Sequence, residues 1–160
     1  MKTIVIYYSV TGQTRFVAEK ITKMLGCDIF EIQTEEEIKP DLISRYSKGI
    51  KSMFSKDETK LKGYKLNLND YDKIIVGFPN WGSMFPPAVK AFILQSDFSK
   101  KDVYLFTTYA ARGAVQCLKN AAEFFTESNV SILGKFSFPK SKTKEEISRM
   151  LKEALSEFKQ

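Results

Sequence analysis

The sequence predicts an α/β protein: a doubly wound, five-stranded parallel sheet with helices on both faces. Three observations lead there. Strand-like apolar runs alternate strictly with amphipathic helical patterns along the 160 residues, and such alternation means parallel strands joined by right-handed crossovers. Most of the strand runs are apolar at nearly every position, as in strands buried on both faces. No internal repeat or linker interrupts the pattern, so residues 1–160 read as a single domain with a sizeable core.

The elements follow in order. "TIVIYY" (3–8) is β-branched and aromatic and predicts the first strand. A helix follows, with Val17, Ile21, Met24 and Leu25 on one stripe, ending near Gly26. "DIFEIQ" (28–33) alternates and predicts a strand. A second helix from about Asp41 places Leu42, Ile43, Tyr46, Ile50 and Met53 on one face, with Arg45, Lys48 and Lys51 on the other. "SKDETKLKGYKLN" is polar and reads as a loop. "KIIVGF" (73–78) predicts the third strand. Pro87 suits the first turn of a helix striped by Val89, Phe92 and Ile93. "DVYLFTTY" (102–109) predicts the fourth strand. Gly113 opens a helix carrying Ala114, Cys117, Leu118, Ala121 and Phe125. "VSILGKFSF" (130–138) predicts the last strand. Thr143 and Glu146 then form a capping box for a final helix with Ile147, Leu151, Ala154, Leu155 and Phe158 inside.

Composition removes several functions. At 43% hydrophobic residues the chain is not a disordered one. It has no histidine, which excludes a histidine base and a zinc site with nitrogen ligands. Cys27 and Cys117 form no CxxC pair and are expected to be reduced and buried. No apolar run approaches the ~20 residues that span a bilayer, and no cleavage site follows "MKTIVIYYSV". A cytoplasmic protein without membrane or nucleic-acid partners is the expectation. The net charge of +6 is a solvated face or a means of steering an acidic partner.

Doubly wound sheets bind ligands beyond the carboxyl ends of their strands, where strand order reverses. Three loops therefore matter. After the first strand comes Ser9, Val10, Thr11, Gly12, Gln13 and Thr14. Gly12 permits a tight turn, the hydroxyls can donate to phosphate oxygens, and the helix beginning near Gln13 offers free N–H groups and a positive dipole end. It is a phosphate cradle without a cation. GxxxxGK[ST] and GxGxxG are both absent. An ordinary Ser/Thr-rich helix cap is the alternative. After the third strand come Pro79, Asn80, Trp81 and Gly82. The sole tryptophan in a loop either covers a ligand or folds over the domain's own core. After the fourth strand come Thr107, Thr108, Tyr109, Ala110, Ala111, Arg112 and Gly113. A phosphate cradle and two aromatics at one edge describe a site for a flat ring on a phosphate tail.

These segments resemble the flavodoxins. The family's phosphate loop, Ser/Thr-x-Thr-Gly-Asn-Thr, is matched by Ser9, Thr11, Gly12 and Thr14, with Gln13 in place of Asn. Its "P-x-W…P-x-x-V-x-x-F" segment is similar to Pro79, Trp81, Pro86 or Pro87, Val89 and Phe92. The resemblance covers nearly the whole chain and implies a flavodoxin-like fold and non-covalent FMN. It implies a low-potential, monomeric electron carrier with no catalytic or metal-binding residues, whose Trp81 lies on one face of the flavin. The carbonyl of Gly82 would rotate toward flavin N5 on reduction, and Tyr109 would cover the opposite face. Two features depart from the family. "TTYAARG" replaces a Gly-rich third loop, and the chain is basic, which implies partners with acidic docking surfaces, approached by Arg45, Lys48 and Lys51. The alternative on the same fold is an NAD(P)H-dependent quinone or flavin reductase, for which Arg112 would hold the NADPH phosphate. A receiver domain is excluded because Gly77, Phe78 and Pro79 stand where an acid is needed. A low-molecular-weight phosphatase is excluded because the first loop lacks cysteine.

Overall fold

The β-branched run near the start of the chain becomes an inner strand of a five-stranded parallel sheet in the computed structural model, which describes residues 1–36 and 59–158. β1 (Thr3–Tyr7) pairs on one side with β2 (Asp28–Glu31) and on the other with β3 (Lys73–Pro79). β4 (Asp102–Tyr109) and β5 (Ile132–Pro139) extend the sheet, giving the order β2-β1-β3-β4-β5. Strand order reverses at β1 and β3, so the crevice of a doubly wound sheet opens beyond their carboxyl ends.

Alternation along the strands divides the core into two layers. Ile4, Ile6, Ile74, Val76, Phe78, Val103 and Leu105 face one way. There they meet Val89 and Phe92 of α2 (Pro87–Gln95) and Cys117, Ala121 and Phe125 of α3 (Ala114–Glu127). Val5, Tyr7, Ile75 and Phe106 face the other way. They meet Val17 and Ile21 of α1 (Gln13–Leu25) and Ile147, Leu151 and Leu155 of α4 (Lys144–Phe158). Gly77 is required by this packing: a Cβ there would overlap the Phe106 ring.

Helix ends follow the local chemistry. Pro87 occupies the first turn of α2, where its missing N–H costs nothing. The capping box of α4 forms as predicted: Thr143 N donates to Glu146 Oε2 at 2.7 Å, and Glu146 N donates to Thr143 Oγ1 at 3.2 Å.

Some boundaries differ from those predicted. β2 ends at Glu31 rather than Gln33. Ile32 N still donates to Tyr7 O at 2.7 Å, but beyond it the backbone turns to residues 60–62, with Lys62 N donating to Gln33 O at 2.8 Å. The last strand starts at Ile132 rather than Val130, because Val130 N is taken by Phe125 O at the end of α3. Cys117 is buried as expected, but Cys27, beside the edge strand, is half-buried. The helix predicted from Asp41, with Arg45, Lys48 and Lys51, lies outside the described residues, among which there are four α-helices.

Candidate cofactor site at the carboxyl edge of the sheet

The loop after β1 reaches α1 through Gly12, the helix N-cap, at φ +94°. That left-handed conformation is adopted without steric cost only by glycine. Ser9 Oγ accepts the Gly12 N–H at 3.2 Å. No side chain caps α1, and its first turn holds no acid. The Ser and Thr hydroxyls are therefore not spent as an ordinary helix cap, and the free N–H groups of the first turn point to an anion. Space around Gly12 is open: a Cβ placed there would meet nothing within 4 Å. The residues present suit a phosphate group.

Thr14 is buried, and its hydroxyl lies 2.7 Å from that of Thr108 at the end of β4. One hydroxyl hydrogen joins the pair, and the other remains for a further acceptor. The contact anchors the first turn of α1 over β4. Thr107 is turned inward, with its hydroxyl donating to Phe78 O at 2.8 Å. Arg15, one residue beyond Thr14, is committed elsewhere. Its guanidinium bonds Glu31 and the Tyr7 hydroxyl.

After β3 the chain makes a tight reversal. Trp81 N donates to Met84 O at 2.9 Å, and Met84 N donates to Trp81 O at 3.1 Å. Gly82 (φ +59°) and Ser83 (φ +70°) both take positive φ between them, as in the primed turns of two-residue hairpins. Two asparagines hold this turn. Asn80 Oδ1 accepts from Ser83 N at 2.9 Å, and its Nδ2 donates to Arg112 O at 2.6 Å. Asn120 of α3 donates to Ser83 O at 2.9 Å and to Met84 Sδ at 3.0 Å. The Trp81 ring is half-buried and stands edge-on to Tyr8, with centroids 6.1 Å apart and planes at 73°. It lies partly on the core and leaves part of its surface for another group. Burial pushes the Tyr8 phenol up to about 12, so this support stays neutral.

The loop after β4 closes the site. Asn80 N donates to Thr108 O at 2.8 Å. Tyr109 is half-buried, while Ala110, Ala111 and Arg112 are exposed. Gly113 caps α3 at φ +92°, again without a side-chain cap. It packs so closely on the Trp81 turn that a Cβ would overlap Ser83 Oγ. Thus Tyr8, Thr14, Asn80, Trp81 and Thr108 are brought together through shared contacts, and Arg112 is tied in by its carbonyl.

Sequence reasoning missed Tyr8, Ser83, Asn120 and Lys140. Gly82-Ser83 is itself a two-residue turn signal. Asn120 and Lys140 carry no local signal, because each acts on a loop far away in the chain. Lys140 Nζ lies 3.4 Å from Thr11 Oγ1, 129 positions apart.

Fold and site together define a flavoprotein of the doubly wound class. A family model described as Flavodoxin matches residues 2–154, and the chain belongs to this family, whose members bind FMN. Solved structures share the fold. A Bacteroides uniformis protein named as a flavoprotein superposes with a TM-score of 0.79 at 24% identity, covering 94% of this chain and 97% of that one. A Lactobacillus acidophilus flavoprotein solved in complex with FMN gives 0.75 at 22% identity, covering 85% and 92%. A flavodoxin, WrbA-like protein from Agrobacterium tumefaciens gives 0.62 at 16% identity, covering 97% and 93%. No curated protein matches the chain in sequence. No helix among the described residues is long and apolar enough to cross a membrane.

Proposed function

We propose that this protein carries single electrons between redox proteins on a non-covalently bound FMN. The observation that carries the reading is the joined pair of loops at the carboxyl edge. An uncapped α1 N-terminus is joined through Thr14 to Thr108, and Thr108 in turn accepts from Asn80 of the clamped turn that carries a half-buried Trp81 against Tyr8. When bound, FMN supplies one-electron chemistry. The chain's own residues bind and orient it: Ser9, Thr11 and the α1 amides hold the phosphate, and Trp81 and Tyr109 border the ring.

Three of the connections at this edge are short, running over residues 8–12, 80–86 and 110–113. These three are suited to holding a flat ring, and in a chain of 160 residues this favours a carrier over an NAD(P)H-dependent reductase. The two free cysteines suit a reducing cytoplasm. The net charge of +6 suits a monomer that docks on acidic partners.

The test is anaerobic mixing of the oxidised holoprotein with NADH, NADPH and a one-electron donor. We expect negligible bleaching of the flavin band by either nicotinamide and ready reduction by the one-electron donor. Fast, saturable bleaching by NADPH that Arg112→Ala abolishes would make the protein a reductase.

A further inference from the structure

The phosphate loop carries no cation of its own, yet the fold delivers one from the far end of the chain. Lys140 directly follows Pro139, the last residue of β5, which is paired with Tyr109 at the end of β4. Its backbone N donates to Tyr109 O at 2.8 Å, so its Cα is fixed beside the third loop. From there the side chain crosses to the first loop, where Nζ donates to Thr11 Oγ1 at 3.4 Å. That bond is long and leaves two ammonium hydrogens unused.

Two of the neighbouring cations are already paired. Arg15 is held by Glu31, and Lys142 lies 3.9 Å from Glu146. Among the described residues Lys140 has no carboxylate within ion-pair distance. An ammonium carried on an anchored backbone, without a carboxylate partner among the described residues, and reaching a hydroxyl of an uncapped, acid-free helix N-terminus is a cation awaiting an anion.

We infer that Lys140 is a phosphate-binding residue, whose ammonium shares the FMN phosphate with the Thr11 hydroxyl and the amides of the first turn of α1. This rests on the FMN reading above and adds to it a charged contact and a specificity. A charge-assisted bond is stronger than a neutral one, and it rewards only a ligand that bears the anion. The chain therefore discriminates between FMN and riboflavin through Lys140, and salt weakens that discrimination.

The experiment titrates the apo-protein with FMN and with riboflavin, following flavin fluorescence at low and high salt. The proteins are wild type, Lys140→Ala, Lys140→Arg and, as a charge-matched control, Lys142→Ala. Lys140→Ala is expected to weaken FMN about tenfold, a discounted value for an exposed charged contact, while leaving riboflavin unchanged. It should also flatten the salt dependence. Lys140→Arg should keep most of the FMN affinity, and Lys142→Ala should match wild type. Equal loss of FMN and riboflavin in Lys140→Ala would make the residue a prop for Tyr109 and overturn the inference, as would an unchanged FMN-to-riboflavin ratio. If wild type binds neither flavin, the FMN reading falls and the inference with it.

Discussion

Ser83 and Gly113 meet where the second and third loops touch, and each is costly to change. Ser83 is a non-glycine residue at φ +70°, a conformation that costs an L-residue about 1–2 kcal/mol. It is held there by Asn80 on its N–H and Asn120 on its carbonyl. Gly113→Ala meets the same penalty at φ +92° and in addition overlaps Ser83 Oγ. We predict that Gly113→Ala lowers apo-protein stability by more than about 2 kcal/mol and weakens FMN binding by displacing Trp81. In a Ser83→Gly background the loss should shrink by about 1 kcal/mol, because the two side chains no longer collide. A double-mutant cycle in urea measures this; additive losses would show that the loops move independently.

The Thr14–Thr108 pair makes a second prediction at this scale. Thr14→Ala leaves a buried Thr108 hydroxyl without its partner, at a cost of about 1–3 kcal/mol. Part of the loss should therefore appear in the apo-protein, before any flavin is added. An apo-protein as stable as wild type would place the hydroxyl's role in ligand binding alone.

At the scale of the element, the capping box of α4 is the clearest case of structure read directly from sequence. Thr143→Ala should cost about 1 kcal/mol, measured by thermal unfolding. Glu146 accepts the Thr143 N–H, which holds its carboxyl below the usual 4.5. A lowered folded-state value stabilises the protein above the unfolded value, and the contribution disappears as pH falls through the folded one. The Glu146→Gln difference in unfolding midpoint should therefore be present at pH 7, begin to shrink near pH 4.5 and vanish only once the pH has passed the lower folded-state value. Strand Gly77 tests packing instead: Gly77→Ala drives a Cβ into the Phe106 ring, and overpacking of this kind costs about 1–3 kcal/mol. The order of elements was legible because strand and helix periods differ sharply, as "TIVIYY" and the Val17–Ile21 stripe show. Their ends were less so. β2 stops early because its chain finds partners at residues 60–62, and β5 starts late because Val130 closes α3. Both are tertiary choices that no local window contains.

At the scale of the molecule, the three loops were legible because topology alone says where a doubly wound sheet binds. Their contents were legible where one loop is self-sufficient, as in Ser9–Thr14. They were hidden where two distant segments cooperate. Asn120 grips Ser83 from α3, and Lys140 reaches Thr11 from β5. The apparent lack of a cation in the phosphate loop was a property of the segment, not of the fold. The net charge of +6 is also a property of the whole molecule. For the proposed carrier, electron transfer to an acidic partner should slow as ionic strength rises, and stopped-flow rates indifferent to salt would remove that role.

On the proposed reading this edge binds FMN against Trp81, and the chain holds a single tryptophan. Its emission therefore reports the site without interference. Titrating apo-protein with FMN should quench tryptophan and flavin fluorescence together, saturating at one FMN per chain. Trp81→Ala should weaken binding by about 1–3 kcal/mol. Saturable flavin binding with tryptophan emission unchanged would put the flavin somewhere other than beside Trp81.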